Sequence, residues 1–149
     1  MIKCHFPWKA LTHTPKTIKD IVGKTPTNIT VSGVCEDEIE MVFDDGTACK
    51  FYHEQDCCED VSIEDVNGNW GDLIGTPLLV AEEREGESGE KDYETFTWTF
   101  YTFRSIKGSV DVRWYGTSNG YYSEGVNFIG GEVTHDPNFM PNSSHILRG

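Results

Sequence analysis

Residues 93–128, YETFTWTFYTFRSIKGSVDVRWYGTSNGYYSEGVNF, constrain the fold more than any other stretch of the chain. Phe96, Trp98 and Phe100 alternate with Thr95, Thr97 and Thr99, a period of two that suits a strand with unlike faces. Lys107-Gly108 reads as a tight turn, because glycine reaches positive φ without steric cost. Val110, Val112 and Trp114 then alternate with Asp111, Arg113 and Tyr115, and Asn119-Gly120 turns the chain again into Tyr121–Phe128. The pattern predicts a three-stranded antiparallel meander with Trp98 in the core.

Upstream, Ile39, Met41 and Phe43 share one face of a strand, Asp45-Gly46 marks a hairpin turn, and Cys49, Phe51 and His53 share a face on the return. That register points His53 toward the core. The stretch EQDCCED (54–60) breaks the alternation as a bulge or corner, Val61–Val66 resumes a strand, and Asn67-Gly68-Asn69 turns it. Thr17 is placed to cap a short helix through Ile21-Val22, stopped at Gly23, and Asp72–Ile74 suits one helical turn before Gly75. Pro26 opens an extended segment over Asn28–Val34, and Leu78-Leu79-Val80 reads as a buried strand. Glu82–Asp92, EEREGESGEKD, has no apolar alternation and reads as a solvated loop. The expected architecture is mainly β: an antiparallel sheet rolled or packed as a small barrel or sandwich, with one or two short helices. Residues 1–16 form an N-terminal arm, 17–129 a single β-rich domain and 130–149 a tail.

The net charge of −13 is unevenly spread. Residues 1–35 hold five lysines against one aspartate, residues 36–94 hold 20 acidic against three basic residues, and residues 95–149 balance four against four. A centre of that sign repels nucleic acid and anionic lipid and attracts basic proteins. The expected partner is therefore a protein with a basic surface, with no direct nucleic-acid binding and no membrane. A homodimer is compatible with the sequence. No apolar stretch approaches the roughly 20 residues of a membrane span, and MIKCHFPWKALTHTPK lacks the apolar centre of a secretory signal. Five cysteines, an odd number, favour a reducing cytoplasm.

Two groups of segments are distinctive: YHEQDCCE followed by VSIEDVNG and DLIGTPLLVAEE, and later TWTFY, IKGSVDVRWYG and SNGYYSE. Together, over about residues 20–128, they resemble an uncharacterised domain family found in bacteriophages and prophages. The resemblance implies a small phage-borne protein acting in the bacterial host cytoplasm. It implies no activity and no catalytic residues.

Two constellations carry chemistry. His53, Cys57 and Cys58 are zinc-ligand types at H-x3-C spacing, but adjacent cysteines rarely both reach one ion and no second Cys/His pair follows at ligand spacing. The reading is a core histidine with buried thiols, no metal and no cofactor, with a redox role or a vicinal disulfide as the remaining alternative. Glu54, Asp56, Glu59 and Asp60 lie nearby, but acids crowd the whole region, and no phosphate loop, nucleophile elbow or H-E-x-x-H is present, so no enzyme is expected. Arg113, Tyr115, Asn119, Tyr121 and Tyr122 form the second constellation, contact residues around a polar turn for a protein or a stacked nucleotide. In the plain structural account the tyrosines cover the sheet and Arg113 pairs with Asp111 or Glu124. The function expected is a phage accessory protein that binds and inhibits or redirects a host protein, a defence factor or nucleic-acid enzyme. Glu38, Glu40, Glu64 and Glu83 would form its acidic partner surface, in the extreme case imitating DNA. The alternative is a small-molecule binder sequestering a nucleotide signal. An enzyme with a Cys/His or carboxylate site ranks third.

Overall fold

The computed structural model describes residues 8–9, 15–32, 37–55, 58–91, 94–120, 122–133 and 146–147. Ten strands lie within them: β1 (Trp8–Lys9), β2 (Pro26–Ser32), β3 (Glu38–Phe43), β4 (Thr47–Tyr52), β5 (Asp60–Gly68), β6 (Val80–Lys91), β7 (Glu94–Arg104), β8 (Ser109–Ser118), β9 (Asn127–Val133) and β10 (Ile146–Leu147). They form a six-stranded sheet in the order β1-β9-β4-β3-β2-β10 and a four-stranded sheet in the order β5-β8-β7-β6, with every pairing antiparallel. The mainly β expectation holds, in the form of a sandwich. The short helices are single 3-10 turns at Ile18–Ile21 and Trp70–Leu73. Thr17 and Asp20 make a reciprocal capping box at the first.

The β3–β4 hairpin follows its sequence pattern. Gly46 has φ +85°, and Asp45 accepts from the Thr47 backbone N–H at 3.0 Å while Lys24 bonds its other oxygen. Although partial burial pushes its pKa up, these hydrogen bonds hold Asp45 at about 2. Ile39, Met41, Phe43, Cys49 and Phe51 face the core with His53 beside them. Phe51 joins the sheets: its ring centroid lies 5.0 Å from Tyr101, 5.4 Å from Phe103 and 5.2 Å from Phe128, edge to face in each case.

Three expectations are corrected. The residues read as a third meander strand do not continue the four-stranded sheet. After Asn119-Gly120 the chain crosses to the other sheet, where β9 pairs with β4. The Glu124 carboxylate anchors the crossing segment, accepting hydroxyl hydrogen bonds from Thr97 at 2.9 Å and from Thr95 and Ser118 on the inner face of β7 and β8. Gly116 permits the approach, since a Cβ there would sit 2.5 Å from the Glu124 carbonyl oxygen. Second, Glu82–Lys91, read as loop, is most of β6. It pairs with β7 around a bulge between Glu85 and Ser88, and backbone pairing needs no apolar alternation at an exposed edge. Within Leu78-Leu79-Val80 only Leu78 is buried, and Leu79 is exposed. Third, Trp98 is half-buried on the outer face of its sheet. The core side of β7 is Thr99, Tyr101 and Phe103, opposite Trp114, Val112 and Val110.

Chain segments read as arm and tail also contribute strands. Trp8 and Lys9 pair with Val133 and Glu132, Gly130–Val133 continue β9, and Ile146 and Leu147 pair with Thr30 and Ile29.

Candidate functional site: the outer face of the four-stranded sheet

Because β7 sends Tyr101 and Phe103 inward, the same alternation sends Phe96, Trp98 and Phe100 outward. On β8 Thr117, Tyr115 and Arg113 stand directly opposite them, and Asp111 follows on the same face opposite Thr102. The result is a continuous aromatic row. Trp98 and Phe100 are parallel at 6.4 Å, Tyr115 packs 4.5 Å from Trp98, and Phe96 stacks on Tyr115 at 6.2 Å. Two guanidinium groups lie over it, Arg113 at 5.7 Å from the Trp98 ring and Arg84 at 5.9 Å from the Phe100 ring. Gly86 of β6 lets Phe100 lie across it: a Cβ there would meet Phe100 Cε2 at 2.2 Å. Phe96 lies over Gly89 more loosely, at a distance a Cβ would still tolerate, so both glycines of this charged edge strand are covered by aromatic rings.

Arg113 also pairs with Asp65 Oδ2 at 3.3 Å, not with Asp111 or Glu124. Both side chains are about half exposed, so the pair orients the guanidinium and adds little stability. Asp111 instead accepts from Thr102 at 2.8 Å, and Glu124 is held by its three hydroxyls. Although partial burial pushes Glu124 up, those hydrogen bonds leave its carboxyl below the usual range.

Of the contact residues expected from sequence, Arg113 and Tyr115 lie together on this face. Asn119 is exposed at the turn beyond β8, and Tyr122 is half-buried in the crossing segment, where its carbonyl accepts from Ser118. Tyr121 lies outside the described residues. Arg84, Phe96, Trp98 and Phe100 belong to the face and were not expected there. Register would have revealed them: a turn at Lys107-Gly108 places Val110, Val112 and Trp114 on one face with Phe103, Tyr101 and Thr99.

The acidic residues do not form one row. Glu38 and Glu40 flank Lys50 on β4, at 2.7 and 3.7 Å. Desolvation raises the Glu40 pKa against the pull of Lys50. Glu64 sits at the β5 bulge on one edge of the other sheet, and Glu83, on β6 at the opposite edge, accepts from the Tyr101 hydroxyl at 3.1 Å. That carboxylate and burial together raise the Tyr101 pKa, burial being the larger cause.

His53 is buried as its register predicted. Its Nδ1 donates to the Gly125 carbonyl oxygen at 2.7 Å, and its Nε2 faces the buried Glu59 carboxylate at 3.5 Å. The backbone N–H of Glu54 donates to Asn127 Oδ1 at 2.9 Å. His53 thus ties the end of the crossing segment, at Gly125, to the end of β4. Cys58 is exposed and disulfide-bonded, a correction to the expectation of a buried thiol, whereas Cys49 is free and buried, which pushes its pKa up. Asp56 and Cys57 lie outside the described residues. Among the described residues no group of three or more His, Cys, Asp and Glu is placed to hold a metal ion, and no helix is long and apolar enough to cross a membrane.

Fold and face together define an antiparallel β-sandwich with an arginine-clasped aromatic row on one outer surface. The chain belongs to the family described as Domain of unknown function (DUF7448), whose profile matches residues 19–128. No curated protein and no solved structure matches it.

Proposed function

We propose that the protein is a small acidic phage accessory factor that binds a host protein in the bacterial cytoplasm and inhibits or redirects it. The contact surface is the outer face of the four-stranded sheet, and the observation that carries this reading is the half-exposed row of Phe96, Trp98, Phe100 and Tyr115 under Arg84 and Arg113. Aromatic and arginine side chains dominate binding energy at protein interfaces, and the structure spends this row on no internal contact with the opposing sheet. The DNA-imitating form of the reading draws less support, because Glu38, Glu40, Glu64 and Glu83 are spread over three strands in two sheets. A nucleotide-sequestering role would favour a concave site lined by tyrosine and arginine. The groove beside β6 is lined instead by Ile18, Lys19, Val22, Leu79, Val80, Ala81, Glu82 and Glu83.

The test is affinity capture from host lysate with the wild-type chain, Trp98→Ala and Arg113→Ala in parallel, after thermal melts establish that all three are folded. Capture of one protein by the wild type and its loss in both variants is the expected result. Equal capture by all three removes the face from the function.

A further inference from the structure

The edges of the two sheets are not equally finished. In the six-stranded sheet the outermost long strands, β9 and β2, are each capped by a short terminal strand, β1 and β10. In the four-stranded sheet β5 is interrupted near its middle by the bulge at Glu64. β6 begins with six consecutive regular pairs to β7, from Val80 to Glu85, before its own bulge. Among the described residues no strand pairs with its other side, and Glu82 to Glu85 are exposed. A free strand edge is a row of unpaired N–H and C=O groups, a template for another strand.

Beside that edge lies a groove of about 450 Å³, with Val80, Ala81, Glu82 and Glu83 on one wall and Ile18, Lys19 and Val22 of the first 3-10 turn on the other. Val22 and Leu79, two of the three large apolar side chains that are strongly exposed among the described residues, both line it. Along the strand beyond the groove run Glu85, Glu87 and Glu90. Acidic side chains on an edge normally prevent self-pairing, and two copies of β6 laid antiparallel would bring glutamates against glutamates. The same charges favour a strand of opposite sign.

We propose that the β6 edge and its groove receive an extended basic segment of a partner protein, which pairs with Val80–Glu85 as a fifth strand of the sheet. This deepens the protein-binding reading above by naming the partner's chemistry and shape. An apolar side chain of the segment packs on Val22 and Leu79, while lysines or arginines meet Glu82 on one face of the sheet or Glu83 and Glu85 on the other. Main-chain hydrogen bonds supply affinity in this mode, and alternate side chains supply selectivity.

The probe is a short fluorescent peptide of alternating lysine and valine, titrated at low salt against the full chain, with two analogues. One is N-methylated at the valine amides and the other at the lysine amides. Only one of these sets faces β6, so one analogue should bind at least about tenfold more weakly while the other stays close to the parent. Amide exchange should slow over residues 79–85, and Glu82→Lys/Glu85→Lys should weaken binding by a similar factor. The proposal is overturned if the parent peptide does not bind at about 1 mM, or if both analogues bind like the parent, which would leave charge attraction alone. Exchange protection elsewhere, or a concentration-dependent dimer through β6, also overturns it. Trp98→Ala separates the two readings. Equal capture by the wild type and Trp98→Ala, with capture lost in Glu82→Lys/Glu85→Lys, removes the face and keeps the edge. Capture lost in Trp98→Ala but retained in Glu82→Lys/Glu85→Lys keeps the face and removes the edge.

Discussion

The two sheets treat their central strands differently. β4 in the six-stranded sheet is buried on both faces: Cys49 and Phe51 point to the core, yet Ala48 and Lys50 on the opposite face are also buried. β7 in the four-stranded sheet is buried on one face, by Tyr101 and Phe103, and leaves Phe96, Trp98 and Phe100 half covered on the other. The strand with the richer apolar content is thus the one with the open face. Residue type does not decide which side of a strand becomes core. The opposing sheet does, and here Phe51 selects Tyr101 and Phe103. An aromatic row left outside such a core is available for a partner.

The sharpest test of that contrast is truncation on the two sides. Phe51→Ala should cost about 3–5 kcal/mol, since its ring touches Tyr101 and Phe103 across the core and Phe128 beside it in its own sheet. Trp98→Ala should cost a clearly smaller amount despite the larger side chain. Paired denaturant titrations decide it, and equal losses would make the outer row part of the structural core.

Next in size is the link between the crossing segment and β4. His53→Ala removes the donor to the Gly125 carbonyl and leaves Glu59 facing a void, at an expected cost of about 1–3 kcal/mol. Elemental analysis of chelator-free protein belongs with this measurement. Stoichiometric zinc, lost together with folding in His53→Ala, would make the histidine a ligand.

The acid limb of stability comes third. Glu124 is held below its ordinary pKa in the folded state, so its contribution is present above the usual carboxylate range and fades as pH falls through the folded value. Asp45, at about 2, fades in the same direction between about pH 4 and 2. Glu124→Gln should therefore lower stability at neutral pH and reduce the loss on acidification, as read from melts across that range. An unchanged acid slope would mean that the three hydroxyls do not select the ionised form.

The smallest effect on stability belongs to Arg113→Ala, expected within about 1 kcal/mol because its partner Asp65 is equally exposed. Its effect on capture of a partner should be far larger than that figure suggests. Comparable losses of stability and capture would place Arg113 with the core residues.

Alternation and turn chemistry by themselves determined much of this protein. Asp45-Gly46 with its flanking residues specified the β3–β4 hairpin and sent His53 inward, because a tight turn fixes register and register fixes the face. Arg113 and Tyr115 were legible as outward residues for the same reason. Three features required the tertiary structure. β6 carries no apolar alternation, so only the neighbouring β7 backbone reveals it as a strand. β7 holds two aromatic sets in opposite phase, and the choice between them was made by Phe51 from the other sheet. The crossing after β8 depends on hydroxyls of Thr95, Thr97 and Ser118 converging on Glu124 from sequence separations of 29, 27 and 6 residues. Local pattern sets which side chains share a face. Which face is buried, and where the chain leaves a sheet, are settled by contacts between residues far apart in sequence, where no local period reaches.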